Sequence, residues 1–398
     1  MPTHTVTLTN VAERLWLDEF SLAPADGPKL AGSSQWSIKK TTLRGGVTSG
    51  VDVIELDNGA LSVAVLPTRG MGLWKGQYRG IPIGWKSPVT QPVNPCYVNL
   101  TDRSGLGWLV GFNEFVCRCG LASNGGPGND VVLGNNGDPI ETPLTLHGKI
   151  ANTPAHRVDV SVSDEGPGVL SITGDVDETM LFGPCLRLSS TLKTEAGSNR
   201  LTIIDRVTNV SGQKGELELL YHTNLGPPFL EEGSRFIAPV ADVAPTNAEA
   251  AKDIDTWPVY KAPTAGYIEQ CYFFDLHADD AGETLVLLKN AKGDKGISLH
   301  FNRRQLPWFT IWKNTQAEAD GYVTGLEPGT DFPNPKSFER KQGRVVELPP
   351  GAIYETRLEI AVHDTAAAVS TIEKQIQSLS RGRQPKVHRD PIAKYSPQ

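Results

Sequence analysis

The run Cys185-Leu186-Arg187-Leu188-Ser189-Ser190-Thr191-Leu192-Lys193-Thr194, the link Glu195-Ala196-Gly197-Ser198-Asn199 and the run Arg200-Leu201-Thr202-Ile203-Ile204-Asp205-Arg206-Val207-Thr208-Asn209-Val210 decide the fold. Leu186, Leu188 and Leu192 fall on one face of an extended chain. Leu201, Ile203 and Val207 do the same beyond the link, and this period of two belongs to strands buried on one side. Two such runs joined by five polar and small residues form an antiparallel hairpin. The pattern continues outward. Val158 to Val162 and Val169 to Ile172 flank Glu165-Gly166-Pro167-Gly168, and Val63 and Val65 alternate before Pro67. Thr284 to Leu288, Ile297 to Phe301, Pro307 to Trp312 and Tyr354 to Val362 carry similar strand signals. No βαβ unit recurs, so the chain reads as all-β with antiparallel strands.

One stretch departs from period two. After Asp364, read as an N-cap, Val369, Ile372, Ile376 and Leu379 recur at spacings of three and four until Gly382, which predicts one C-terminal helix packed on the edge of the sandwich. Residues 1–380 are expected to form a single domain. Residues 381–398 are polar, with three prolines and no apolar pattern, and are expected as a loosely held tail. The Gly-, Asn- and Pro-rich stretch 122–143 reads as an extended surface loop, too polar for a strand.

Composition narrows the function classes. The 398 residues can bury a large core, and 40 Gly with 29 Pro suit a protein of many tight turns. A net charge of −7, with basic runs only as short as Arg303-Arg304, argues against a nucleic-acid partner. There is no run of 18 apolar residues and no basic segment leading into an apolar one at the start, so no membrane partner and a cytoplasmic location are expected. Cys96, Cys117, Cys119, Cys185 and Cys271 are odd in number and scattered, which suits reduced structural thiols. No convincing metal-ligand spacing, dinucleotide fingerprint or nucleophile elbow occurs, so neither metal nor cofactor is expected.

Three residues carry the chemistry. Glu327 lies on a Gly/Pro-punctuated turn, Gly325-Leu326-Glu327-Pro328-Gly329-Thr330-Asp331-Phe332-Pro333-Asn334. His147 in Leu146-His147-Gly148-Lys149 and His222 in Leu220-Tyr221-His222-Thr223-Asn224-Leu225-Gly226 each end a strand-like run. One carboxylate and two imidazoles suit proton shuttling near neutral pH. Arg69, after Pro67-Thr68 and before Gly70, has a guanidinium that can hold two hydroxyls or a carboxylate. Trp308 and Trp312 share one face of a strand and offer apolar surface to a ligand, and Lys313 beside Trp312 offers a cation. Arg69, His147, Trp312 and Lys313 are therefore the candidate substrate-binding residues.

These segments resemble the aldose 1-epimerase (galactose mutarotase) family, from about Leu61 to about Val362. The hairpin from Leu186, closing on Tyr221-His222-Thr223-Asn224-Leu225-Gly226, resembles the family segment that ends on the catalytic histidine. Gly325-Leu326-Glu327-Pro328 with Phe332-Pro333-Asn334 resembles the motif of the catalytic glutamate, and His147-Gly148 resembles the first active-site histidine, which contacts sugar hydroxyls. Gly329-Thr330 stand where better-known members tend to carry Gln, and stretch 122–143 has no counterpart. Leu66-Pro67-Thr68-Arg69-Gly70-Met71-Gly72 and Leu146 to Ala155 mark a divergent branch.

The resemblance implies a β-supersandwich and a cofactor-free isomerase acting at C1 of an aldose, with Glu327 as base and His222 as acid. A small-molecule carbohydrate is then the expected partner, bound by a monomer or a homodimer. Two rivals remain open at this stage. One is a lyase or hydrolase acting on an oxidised sugar with the same pair, although glycoside hydrolysis usually requires a second carboxylate. The other is a carbohydrate-binding protein without catalysis.

Overall fold

The computed structural model describes residues 3–397. The hairpin appears as strands Cys185–Glu195 and Arg200–Asn209, with Leu192 opposite Ile203 and Leu188 opposite Val207. These strands lie inside a 10-stranded sheet, between Val169–Thr179 and Ile353–His363. A 14-stranded sheet is the second large layer. Near its middle, Trp308–Asn314, Val323–Gly329, Gly215–Leu225 and Val116–Leu121 run side by side. The architecture is an antiparallel β-supersandwich of two large sheets, as expected. Parallel pairing is confined, among the described residues, to Lys386–Val387 with Asp242 and Val243 and to a bridge between Gly120 and Gly148.

Alternation along the strands builds the core. Leu186, Leu188, Leu192, Leu201, Ile203 and Val207 are buried with Leu217, Leu219, Tyr221 and Leu326 of the facing sheet in one cluster. Each such side chain contributes about 1.5–3 kcal/mol on leaving water. A polar clamp crosses this layer. Arg118 donates to both oxygens of Asp205, Nε to Oδ2 at 2.5 Å and Nη2 to Oδ1 at 2.9 Å, and to Ser190 Oγ at 2.7 Å. Tyr221 Oη donates to Asp205 Oδ2 at 2.7 Å and lies 2.6 Å from Thr356 Oγ1. Arg118 and Tyr221 come from one sheet, and Asp205, Ser190 and Thr356 from the other. With Tyr221 pointing inward, the period of two sends His222 to the opposite face.

The single strong helix spans Ala366–Ser380 and buries Val369, Ile372 and Ile376 against Leu285 and Leu287. Thr365 is its N-cap rather than Asp364, accepting from Ala368 N through Oγ1 at 3.2 Å. Three shorter α-helical turns occur elsewhere among the described residues. No helix among the described residues is long and apolar enough to cross a membrane.

Two expectations need correction. Stretch 122–143 is not all loop, because Gly128–Leu133 and Pro139–Leu144 pair as a separate two-stranded sheet. Val131-Val132-Leu133 and Ile140 favour extended chain, and Arg340 pins the hairpin through both oxygens of Asp130 at 2.7 and 2.8 Å. The tail is not loose either. Tyr395 is fully buried against Phe332 and Trp308, its carbonyl accepts from Asn334 Nδ2 at 2.7 Å, and Lys394 O accepts from Arg344 at 2.8 Å. Among the described residues, the buried Tyr395 hydroxyl has no partner of its own. Tyr395→Ala should therefore cost about 3 kcal/mol in denaturant unfolding, while Tyr395→Phe should be neutral or slightly stabilising. A neutral Tyr395→Ala would show that the tail is not anchored there.

Candidate active site

On the face of the 14-stranded sheet turned away from the core, the register that pairs Thr223 with Leu326 and Leu220 with Gly329 sets His222 opposite Glu327. His222 Nε2 and Glu327 Oε1 are 3.2 Å apart, and both residues are buried. Asn224, two residues along the same strand, orients the imidazole. Its Nδ2 donates to the carbonyls of Glu114 at 3.0 Å and His222 at 3.1 Å, leaving Oδ1 at 2.7 Å from His222 Nδ1. Since Oδ1 can only accept, Nδ1 carries the hydrogen and the neutral ring presents a lone pair at Nε2.

A hydrogen bond between Nε2 and Glu327 then requires one proton, held on one partner or the other. Burial raises the Glu327 carboxyl well above its usual range, and the charge of Glu269 adds to this. Burial also holds His222 well below the usual imidazole value, with His147 adding to the effect and Asn224 opposing it. Both shifts favour the uncharged arrangement, with the proton on Glu327.

His147 completes the group, its ring centroid 5.5 Å from that of His222. Its backbone sits in the left-handed region at φ 58°, followed by Gly148 at φ 69°. A Cβ on Gly148 would lie 2.2 Å from Ser123 O and 2.5 Å from Gly120 O, so glycine is required there. His147 Nδ1 donates to Asn124 O at 2.8 Å. Burial lowers the imidazole to about 4 despite that bond, so the ring is neutral and Nε2 remains as an acceptor.

Aromatic rings enclose the pair. Phe112 and Trp312 stand edge-on to His222 at 5.1 and 5.4 Å, and Trp108 stands edge-on to His147 at 4.6 Å. Trp108, Phe112, Cys117, Cys119 and Leu220 form one apolar cluster, with Trp312 and Trp85 packed against it. Among the described residues, polar atoms inside this wall lack partners. They include the Trp108 indole N–H and the hydroxyl of Thr310, the residue paired with Glu327 on the next strand, while Glu327 Oε1 has only its contact with His222. Buried groups of this kind normally find a partner, which suits a pocket for a polar ligand.

Thus His147, His222, Glu327 and Trp312 come together, but two expected binding residues do not join them. Arg69 is fully buried beneath the aromatic wall. It donates to Glu114 Oε1 at 2.6 Å, Asn152 Oδ1 at 2.8 Å and the carbonyls of Val93 and Gly111 at 3.1 Å. Its guanidinium holds the chain carrying Trp108, Phe112 and Glu114 rather than a ligand. Lys313 follows Trp312 and so points to the other face, donating to Trp257 O at 2.9 Å and Val259 O at 2.6 Å. Burial lowers its ammonium to about 7. Trp308 packs against Phe332 and Tyr395.

Asn224, Trp108, Phe112 and Thr310 are site residues not picked out from sequence. Only Asn224 had a signal, its spacing of two from His222. An open groove of about 720 Å³ lined by Arg44, Val47, Tyr97 and Val110 contains none of the acid/base residues.

Residues 48–362 match the family described as Domain of unknown function (DUF4432). A candidate aldose 1-epimerase from Klebsiella pneumoniae subsp. pneumoniae MGH 78578 is 35% identical, with a TM-score of 0.91 over 98% of this chain and 99% of that one. The chain belongs to the DUF4432 branch of the aldose 1-epimerase, galactose mutarotase-like family. More distant structures share the fold. A galactose mutarotase-like protein from Clostridium acetobutylicum is 15% identical, with a TM-score of 0.56 over 82% of this chain and 98% of its own. A galactose 1-epimerase from Lactobacillus acidophilus NCFM is 14% identical, with a TM-score of 0.51 over the same shares. No curated protein matches.

Gly325 packs directly against the acid/base pair. A Cβ there would lie 2.4 Å from Glu327 Oε1 and 2.9 Å from His222 Cε1. Because the Glu327 side chain can turn aside, Gly325→Ala should fold. It should open the His222–Glu327 contact beyond hydrogen-bond reach in a crystal structure of the variant; an unchanged contact would show that the site tolerates a methyl group.

Proposed function

We propose that this protein is an aldose 1-epimerase-like isomerase that interconverts the anomers of an uncharged aldose by acid/base ring opening. The observation that carries the reading is the His222 Nε2 to Glu327 Oε1 contact of 3.2 Å between two buried groups walled by aromatic rings. Family membership supports the reaction class. Occupation of Arg69 and Lys313 by protein groups supports an uncharged sugar, since neither is left to meet a carboxylate or phosphate.

The reactive form carries the shared proton on His222. The Glu327 carboxylate takes the proton from the C1 hydroxyl, and the C1–O1 bond becomes a carbonyl. The bond from C1 to the ring oxygen breaks, its electron pair goes to that oxygen, and the oxygen takes the proton from His222 Nε2. The proton count of the pair is conserved, now with Glu327 protonated and His222 neutral, the arrangement that burial favours. Rotation about C1–C2 exposes the other carbonyl face. Closure then runs the same two transfers backwards. His147 Nε2 would accept a sugar hydroxyl, and the Trp312 ring would lie against an apolar sugar face.

His222→Ala and Glu327→Gln should each slow anomer exchange about 100-fold or more, measured by polarimetry or NMR exchange, with folding retained. Near-wild-type rates in either variant would favour a binding protein instead. The pH profile gives a second test. The reaction needs one proton on the pair; a second is added only below the ordinary imidazole value of 6.5, and the last is lost only above the ordinary carboxyl value of 4.5. The rate should therefore have its acid limb well below 6.5. An inflection at 6.5 would mean that His222 titrates as a free imidazole.

A further inference from the structure

Glu269 lies just before strand Gln270–Leu276, exposed at the border of the pocket. Its Oε2 accepts the indole N–H of Trp312 at 2.7 Å, and its other oxygen has no partner among the described residues. The bond fixes the orientation of a ring that stands edge-on to His222 and lies 6.0 Å from Phe112. Two cations on the adjoining segments are engaged elsewhere. Lys261 is paired with Asp253 at 2.5 Å, and Lys313 faces the other side of the sheet against two carbonyls. Among the described residues, no Lys or Arg is ion-paired to Glu269 or Glu327. The field of Glu269 reaches the pocket floor, since its charge contributes to the raised Glu327 carboxyl.

We infer that Glu269 determines specificity at this site, holding Trp312 in place to receive the sugar and using its uncompensated charge to exclude sugar acids and sugar phosphates. The inference rests on the reading given under Proposed function. An anion entering beside Glu269 would meet a like charge that no Lys or Arg pairs among the described residues, whereas a neutral hydroxyl can donate to the free carboxylate oxygen. The rim thus attracts hydroxyls and repels anions.

The test compares glucose, galactose and mannose with their matched uronates, by NMR anomer exchange, in wild type, Glu269→Gln and Glu269→Ala. Gln keeps an acceptor for Trp312 but removes the charge. Glu269→Gln should raise the uronate-to-hexose ratio of kcat/KM about tenfold or more, and high salt should narrow the gap between wild type and variant. Glu269→Ala releases Trp312 as well, and should raise KM for hexoses about threefold to tenfold with a change in tryptophan fluorescence. If hexoses exchange in wild type but Glu269→Gln leaves the ratio unchanged, the inference is overturned and the acid/base mechanism stands. If wild type exchanges none of the sugars, the proposed function fails and takes this inference with it.

Discussion

Arg118, Asp205 and Tyr221 meet between the two large sheets, and the placement of the site depends on that contact. A buried ion pair is costly to assemble, and removing one partner leaves an unpaired charge, typically a loss of about 3–5 kcal/mol. The clamp therefore sets which face of its strands looks inward. Tyr221 and Arg118 face the opposite sheet, so His222 and Cys117, one residue away on each strand, face outward. Sliding the Gly215–Leu225 strand by one residue would bury His222 in the core and turn Tyr221 outward, losing the clamp and the site together.

The outward face would be open sheet if chain segments did not cover it. Arg69 supplies the anchorage by binding Glu114 and the carbonyls of Val93 and Gly111, which brings Trp108 and Phe112 over the histidines. Glu114 also links this wall to the chemistry, because its carbonyl accepts from Asn224, whose side chain fixes the tautomer of His222. The same covering removes water from His222 and Glu327, so burial keeps the pair uncharged and poised to exchange a single proton. Positioning and tuning thus share one structural cause.

Much of this is visible in the chain before folding. Hydrophobic period two marks the hairpin around residues 185–209, period three to four marks Ala366–Ser380, and His222 stands out as an ionisable residue ending an apolar run; Glu327, read as a turn residue from its Gly and Pro neighbours, instead lies within strand Val323–Gly329, whose pairing on both sides outweighs them. Other features depend on distant packing. Nothing near Arg69 indicates that residues 93–114 will fold over it, and nothing near Tyr395 indicates a pocket between Trp308 and Phe332. The hairpin at 128–144 is hidden because Gly, Asn and Pro around it outweigh the short run Val131-Val132-Leu133. Lys313 differs, since adjacent strand residues point to opposite faces and Trp312 and Lys313 could not both enter one pocket.

The central claim is that His222 and Glu327 hold one proton between them, with His222 hydrogen-bonded to Asn224 through Nδ1. Nitrogen-15 NMR of labelled histidine, with His222 assigned by its substitution, tests this directly across a pH titration. The account predicts a neutral imidazole with hydrogen on Nδ1 through neutral pH, and no imidazolium signal until well below the ordinary value of 6.5. An imidazolium present at neutral pH, or a neutral ring carrying its hydrogen on Nε2, would contradict it.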